Sequence, residues 1–142
     1  MRRLLDRLVR MFRPTAPVGD RAERAAGDYL TDADYRILAR NWANRFGEID
    51  LIAETPDGHT VVVVEVKARE VTPPDDDPYH RPEDRVGSDK QRRLTALAGQ
   101  AARHFQLTDR PIRFDVIGVD LDPADGAVIN LRHHPGAFES SV

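Results

Sequence analysis

The sequence predicts an α/β or α+β fold in which helices pack against a mixed β-sheet. Three observations predict this fold. The elements follow the order helix, three strands, helix, two strands; four consecutive valines at 61–64 are typical of a buried strand; and two helical segments each carry one apolar stripe. The chain has 142 residues, of which 40% are hydrophobic and 32% are charged. These proportions indicate one folded domain rather than a generally disordered chain.

The first 17 residues are predicted to be a separate segment. Residues 1–13 have the spacing of a basic amphipathic helix, and the prolines at positions 14 and 17 end it in a short linker. Such a helix lies on an anionic membrane surface, binds nucleic acid or packs against a partner protein, and its leucines favour a protein partner at least as much as DNA. The main domain is then expected over residues 18–142.

The first half of that domain is predicted as one helix and three strands. Small and apolar residues at helical spacing predict the helix over 19–30. Residues 35–42 are compatible with a strand, and alternating apolar residues predict another over 48–54. The sequence Thr-Pro-Asp-Gly at 55–58 is strong turn chemistry, and it leads into the valine-rich strand over 60–67.

The second half begins with a proline-rich acidic loop over 70–87, for which a solvated surface insert is favoured over a cover on a neighbouring site. A helix is predicted over 88–105, with Ser88 as its N-cap and an apolar stripe that includes Leu94 and Leu97. Strands are predicted over 112–121 and 127–133 with a turn between them.

Composition and motifs exclude several classes of function. The chain has no cysteine, which excludes disulfides, cysteine nucleophiles and thiolate metal sites. A glycine-rich phosphate loop and a serine in a nucleophile elbow are both missing from the sequence. Because it also has no apolar run near the length that a membrane helix needs, we expect no membrane span and a cytoplasmic protein.

The most informative feature is a pair of charges on the valine-rich strand. Glu65 and Lys67 are two residues apart, so both side chains project from the same face of the sheet. Charged groups there are costly unless they are paired, solvated or bound to a metal. Taken alone, the pair is typical of an ordinary solvated strand end.

The preceding strand adds a second carboxylate to this end of the hairpin. If Glu54 faces Thr60 across the turn, Asp50 lies opposite Val64 and beside Glu65; a shift of one residue pairs the two carboxylates directly. Carboxylate oxygens from neighbouring strands suit Mg²⁺ or Mn²⁺, which bridge to phosphate oxygens. A nearby lysine then orients a water molecule or neutralises developing charge, as phosphodiester hydrolysis requires.

Two strings in the sequence match a known family. Gly-Glu-Ile-Asp-Leu-Ile-Ala at 47–53 and Val-Glu-Val-Lys-Ala-Arg at 64–69 resemble the YraN family of small bacterial proteins. That family belongs to the PD-(D/E)xK nuclease-like superfamily and is similar to archaeal Holliday-junction resolvases. The resemblance extends over roughly 19–138, and it implies a restriction-endonuclease-like three-layer sandwich with a mixed sheet between helices. The longer acidic loop before Lys90 departs from the family pattern.

The resemblance also implies roles for particular residues. Asp50 and Glu65 match the metal-binding carboxylates, and Lys67 matches the superfamily lysine. Glu23 matches an acid that resolvase relatives bring to the same ion, although a solvated helix glutamate is the alternative. Gln91 matches a polar helix position that lines the site, although a surface glutamine is nearly as well supported.

Other polar and aromatic residues are assigned lesser roles. Glu48 lies on the same strand face as Asp50 and either supports the site or is an exposed strand residue. His133 and His134 are adjacent on a strand and point to opposite faces, so they are not expected to hold one ion. For Trp42 and Phe46, core packing is favoured over stacking on nucleic-acid bases.

We therefore expect a Mg²⁺- or Mn²⁺-dependent endonuclease acting on DNA, branched or otherwise structured. Lys90, Arg92 and Arg93 are a basic cluster predicted to bind the nucleic acid. The resemblance also raises a homodimer as an option, since resolvases of the superfamily generally act as dimers that cut two symmetric strands; the residues themselves do not decide the oligomeric state. The alternatives are a non-catalytic DNA-binding or DNA-processing accessory protein, and a protein-interaction module that uses the N-terminal helix.

Overall fold

A computed structural model describes residues 18–72, 80–84 and 86–139. The predicted N-terminal helix and its linker lie outside the described residues, as does the acidic run at 75–77. The elements are α1 (Val18–Asp32), β1 (Arg36–Asn44), β2 (Gly47–Glu54), β3 (Val61–Glu70), a 3₁₀ helix (Pro82–Asp84), α2 (Ser88–His104), β4 (Ile112–Leu121) and β5 (Val128–Phe138). This is the predicted order of helices and strands.

The five strands form one mixed sheet in the spatial order β1-β2-β3-β4-β5. All neighbouring pairs are antiparallel except β3 and β4, which are parallel. A parallel pair needs a crossover between its strands, and α2 supplies it. Because α1 and α2 pack on opposite faces of the sheet, the three-layer α/β architecture predicted from the sequence is confirmed.

Helix α1 buries a narrow stripe of small residues. Ala22, Ala26 and Leu30 recur every four residues, which places them on one side of the helix, and all three are fully buried. They contact the sheet face built by the alternate apolar residues of the central strands, namely Leu51, Val62, Val64, Ile117, Val119 and Leu121. The small alanine side chains let the helix approach the sheet closely.

Helix α2 covers the other face of the sheet. Its buried residues include Leu94, Leu97 and Ala98, as the apolar stripe predicted, and they contact strand residues such as Val63. Ser88 is not the N-cap, so that prediction is wrong: Gly87 is the cap residue, with φ −71° and ψ 166° and no side-chain capping bond. Ser88 is the first residue of the helix, one position after the cap.

The β2–β3 turn sets the register of the hairpin that carries the candidate site. Thr55 and Thr60 close the turn: Thr55 N donates to Thr60 O at 3.0 Å, and Thr60 N donates to Thr55 Oγ1 at 3.1 Å. Thr60 therefore belongs to the turn, and Glu54 pairs with Val61 instead. The register differs by one residue from the expected Glu54–Thr60 pairing, which changes the partners of every residue in β2.

The loop after β3 is not a fully solvated insert. Glu83, in the 3₁₀ helix, is 7% exposed, and Arg132 of β5 donates to its carboxylate at 2.9 Å. A Cβ atom at Gly118 of β4 would overlap this carboxylate, so the glycine makes room for it. The expectation of a solvated loop therefore fails at Glu83.

Strand β5 continues past the predicted end at residue 133 because its later residues still pair with β4.

The two aromatic residues for which core packing was favoured differ in environment. Trp42 of β1 packs against the core beneath α2, as predicted. Phe46 is 58% exposed, so the prediction of a core position is wrong for it. It lies in the tight turn between β1 and β2. None of the helices among the described residues is long and apolar enough to cross a membrane.

Candidate active site

Asp50 lies where strands β2 and β3 separate. The paired residues of these strands end at Leu51 and Val64, and continuing this register places Asp50 opposite Glu65. At that point the Asp50 side chain replaces a strand partner, because its Oδ2 accepts a hydrogen bond from the Val66 backbone N–H at 2.8 Å. Of the two registers considered from the sequence, the observed one is therefore that which places the two carboxylates opposite each other.

Glu65 is a buried carboxylate, and one of its two oxygens lacks a hydrogen-bond partner among the described residues. The residue is 5% exposed, so it is not the solvated strand end that the Glu65–Lys67 pair alone suggested. Its Oε1 lies 3.6 Å from Lys67 Nζ and 3.3 Å from Lys90 Nζ. Its Oε2 is buried and has no hydrogen-bond partner among the described residues. A buried carboxylate oxygen without a partner is costly, and a bound cation would remove that cost.

A second group of carboxylates meets Asp50 from the opposite side. One oxygen each of Glu23, Glu48 and Asp50 lies within 4.8 Å of the others. Glu23 comes from α1 and is half-buried, whereas Glu48 is exposed. Asp50 therefore belongs both to this three-carboxylate group and to the pair with Glu65. Glu65 is not a member of the group, whose third carboxylate is Glu48, so Asp50 is the acid that links Glu23 to Glu65.

The electrostatics of this group disfavour three full negative charges. Burial, reinforced by the negative charge of Glu65, raises the pKa of Asp50 to about 7, although the Val66 N–H bond opposes the shift. Burial also raises the pKa of Glu23; a hydrogen bond with Asn41 opposes this, and the charge of Glu48 adds to it. An excess of carboxylate charge in a half-buried place is the environment that a divalent cation stabilises.

The predicted basic cluster is divided by the geometry of α2. Lys90 faces the sheet and contacts Glu65, as described above. Arg93 lines a small cavity of about 30 Å³ together with Phe46 and Glu48. Arg92 points to solvent and pairs with Asp89 one turn earlier on the same helix. Two of the three cations therefore lie next to the carboxylates, and the third does not.

Gln91 is separate from Asp50 and Glu65, neither of which is among the described residues that line its cleft. Its side-chain Nε2 donates to the Val86 carbonyl oxygen at 2.9 Å, which fixes the loop to the start of α2. It lines an open cleft of about 340 Å³ together with Val116 and His134.

The two adjacent histidines of β5 are directed to different carboxylates. His133 forms a hydrogen bond with Asp115 at 2.7 Å, and His134 forms one with Glu83 at 3.1 Å.

Sequence reasoning did not assign a role to a polar cavity beside Glu23. This cavity of about 360 Å³ is lined by Glu23, Arg24, Arg40 and Asn41 among others. The Arg40 guanidinium lies directly over Gly27, where a Cβ atom would overlap it. Asn41 has φ +50°, an unusual value within a strand. The signal available in the sequence was the glycine at position 27, one helical turn after Glu23, because a residue without a side chain leaves space on that side of the helix.

Comparisons with known proteins identify relatives of similar length. Residues 22–119 match a family described as "Uncharacterised protein family UPF0102". A "UPF0102 protein" from Syntrophus aciditrophicus (strain SB) is 42% identical over 113 residues, which is 80% of this chain and 83% of the relative. "UPF0102 protein STH1475" from Symbiobacterium thermophilum is 43% identical over 123 residues, which is 87% of this chain and 97% of that relative. Among solved structures, one titled "Structure of EndoMS-dsDNA2 complex" is similar with a TM-score of 0.39 and 16% identity, over 72% of this chain and 37% of that chain.

Proposed function

The chain belongs to the uncharacterised protein family UPF0102, and from its site we propose that it is a divalent-metal-dependent endonuclease that hydrolyses phosphodiester bonds in branched or otherwise structured DNA. The observation that carries the proposal is the buried Oε2 of Glu65, opposite Asp50, for which the described part of the chain offers no hydrogen-bond partner. A structural ion pair would satisfy both oxygens of a buried carboxylate, whereas a metal ligand keeps one oxygen available.

The residues that would hold the ion are Asp50, Glu65 and Glu23. All three offer hard carboxylate oxygens, which suit Mg²⁺ or Mn²⁺ and not the softer metals that prefer sulfur or imidazole. When bound, such an ion supplies charge neutralisation at a phosphodiester and a lower pKa for a coordinated water. The raised pKa values of Asp50 and Glu23 support this assignment, because burial makes both carboxylates costly to ionise and neighbouring negative charge adds to that cost, which a bound cation would reduce.

Lys67 is the residue that we assign to the reacting phosphate. Its ammonium is 3.6 Å from Glu65 Oε1 and partly exposed, so it can approach a phosphate oxygen while it remains beside the metal-binding carboxylate. There it would stabilise the negative charge that develops on the phosphate, or orient the attacking water. The Lys90 ammonium, on α2, contacts the same Glu65 oxygen, so that oxygen keeps an ion-pair partner when Lys67 moves toward the substrate.

The DNA backbone would be held by cations on both sides of the carboxylates. Lys90 and Arg93 lie on the α2 side, and Arg24 and Arg40 line the cavity beside Glu23. Guanidinium groups bind phosphate with two parallel hydrogen bonds, so they position the strand without reading its sequence. We assign Arg92 to a contact further along the DNA, since it lies away from the carboxylates. Homodimerisation remains a prediction from the resemblance, with a second copy cutting the symmetric strand.

The test combines metal binding with cleavage. Mn²⁺ is titrated by calorimetry into the wild type and into the double variant Asp50→Asn/Glu65→Gln, and cleavage is assayed on a four-way DNA junction. We expect the variant to lose both Mn²⁺ binding and cleavage. Asp28→Asn is the matched control, because it removes an exposed carboxylate from the same helix as Glu23 and should change neither.

Two outcomes would overturn the proposal. Equal metal-dependent cleavage by the wild type and the double variant would mean that other groups carry the reaction. DNA binding without any cleavage, independent of metal and steeply dependent on salt, would favour the non-catalytic accessory protein instead.

A further inference from the structure

The turn between β1 and β2 presents an aromatic side chain to solvent beside the candidate site. Phe46 is 58% exposed, which is more than any other large hydrophobic residue in the described part of the chain; Val128 follows at 47% and Tyr29 at 37%. Burial of an exposed phenylalanine is favourable, so its exposure at one defined place is a cost that a binding role would offset.

The turn that carries Phe46 is held in place by its neighbours. The Phe46 backbone N–H donates to Asn44 Oδ1 at 2.8 Å, and the Asn44 side-chain amide donates to Gln100 of α2. Gly47 follows with φ +151°, a value that residues with a side chain rarely adopt, and it ends the turn. Because the ring is attached to an ordered turn, little conformational entropy is lost when a flat partner stacks on it.

Three cationic side chains lie over or near the exposed ring, and the carboxylate of Glu48 lines the same neighbouring cavity. The Arg45 guanidinium carbon lies 4.7 Å from the centre of the Phe46 ring, and Lys90 and Arg93 line the small cavity beside it. An aromatic surface with cations around it is what proteins use to bind single-stranded nucleic acid, with the ring stacking on a base and the cations binding the phosphates. A hydrophobic protein partner would not need these charges.

The position of the turn relates Phe46 to the carboxylates. Phe46 lies in the turn directly before β2, and Asp50 is the fourth residue of that strand, so the two residues are at most about 13 Å apart at the rise of an extended strand. Successive nucleotides in one strand of a duplex are about 3.4 Å apart, and an unpaired strand is no more compact, so this distance spans at most about four nucleotide steps. A base that contacts Phe46 therefore belongs to the same stretch of DNA as a phosphate at the site.

We propose that Phe46 stacks on an unpaired base a few nucleotides from the phosphate bound at the candidate active site, so that the β1–β2 turn selects branched or frayed DNA over continuous duplex. Bases within a duplex are already stacked on both faces and offer no surface to the ring, whereas unpaired bases at a fork do. The inference rests on the proposed function for the location of the phosphate.

The experiment measures DNA binding without catalysis. Fluorescence anisotropy in EDTA compares a forked DNA with single-stranded arms and a blunt duplex of equal length, for the wild type and for Phe46→Ala, Phe46→Leu and Phe46→Trp. We expect alanine and leucine to weaken fork binding about tenfold and duplex binding less than about twofold, because stacking is lost. Tryptophan should retain fork binding. Val128→Ala is the control, since it removes an exposed apolar side chain from β5, at the opposite edge of the sheet.

The outcomes separate this inference from the proposed function. Unchanged fork binding in Phe46→Ala, or an equal loss for fork and duplex, would overturn the role in selecting unpaired bases. Leucine binding the fork as well as phenylalanine would also overturn it, because apolar contact rather than stacking would then be sufficient. A wild type that prefers the fork through Phe46 but never cleaves it would support the inference and refute the nuclease. A wild type that binds neither DNA would refute the inference, while the nuclease is decided separately by the cleavage assay in Mn²⁺.

Discussion

Replacing Asp50 with asparagine should stabilise the metal-free protein, and more so at high pH. In the folded chain, burial and the charge of Glu65 raise the pKa of Asp50 to about 7 from an ordinary value of 3.8. Between these two pH values the folded state binds a proton that the unfolded state has released. The stability of the wild type therefore falls as the pH rises from about 4 to about 7, and it changes little above that from this group.

The structure sets the size of this effect. A tenfold change in proton affinity is worth about 1.4 kcal/mol, so the displacement of the pKa amounts to about 4 kcal/mol as an upper value. Asp50 keeps some contact with solvent, which screens the repulsion, and we expect a gain on the order of 2 kcal/mol at pH 8. Asparagine retains an oxygen that can accept from the Val66 N–H, so the hydrogen bond at that position survives.

The assay is urea unfolding in EDTA at pH 5 and pH 8, for the wild type, Asp50→Asn and the control Asp28→Asn. The difference in the free energy of unfolding between variant and wild type cancels most other titrating groups. We expect this difference to be small at pH 5 and to favour Asp50→Asn clearly at pH 8, with no such change for the control. A variant that is equally stable or less stable than the wild type at both pH values would refute the reasoning.

Two further predictions concern the network that holds the loop after β3. Asp120 is fully buried; burial opposes its ionisation, but hydrogen bonds from Arg132 and Arg69 outweigh burial and hold its pKa well below the usual range. Asp120→Asn should therefore lower the free energy of unfolding in urea at pH 7 by about 3–5 kcal/mol. The wild type should lose this stabilisation as the pH falls below about 4. An unchanged unfolding midpoint for Asp120→Asn at pH 7 would contradict the prediction. Gly118→Ala should displace the Glu83 carboxylate and lower the free energy of unfolding by about 1–3 kcal/mol. The measurement is limited proteolysis, in which we expect faster cleavage between β3 and α2 because the loop is released. Equal cleavage rates would show that the loop accommodates the methyl group.

Residue patterns were sufficient to place the central part of the candidate site. The alternation of side chains along a strand puts Glu65 and Lys67 on one face, and a short hairpin brings Asp50 to the same end. The register itself was not available from these patterns. It depends on whether Thr60 belongs to the turn or to the strand. The hydrogen bonds between Thr55 and Thr60 place Thr60 in the turn, which shifts the register by one residue.

Features that depend on distant partners were not predictable from local patterns. Glu83 lies in a proline-rich acidic segment typical of a solvated loop, yet it is buried because Arg132, far along the chain, pairs with it. The exposure of Phe46 depends on where the β1–β2 turn points, and hydrophobicity alone says nothing about that direction. Arg40 reaches the cavity beside Glu23 only because Gly27 leaves space on the facing helix.

The parallel pairing of β3 with β4 has a consequence for the order in which the chain assembles. Strands β1, β2 and β3 pair through short turns, whereas β4 joins β3 only after the chain has passed through α2, as the pairing of Val61 with Ile112 requires. Contacts between distant parts of a chain form more slowly than local ones. The three-stranded meander already contains Asp50 and Glu65, so their mutual repulsion arises before β4 can complete the sheet. We therefore expect dissolved salt to accelerate refolding of the metal-free chain, by screening a charge conflict that the nascent meander meets early.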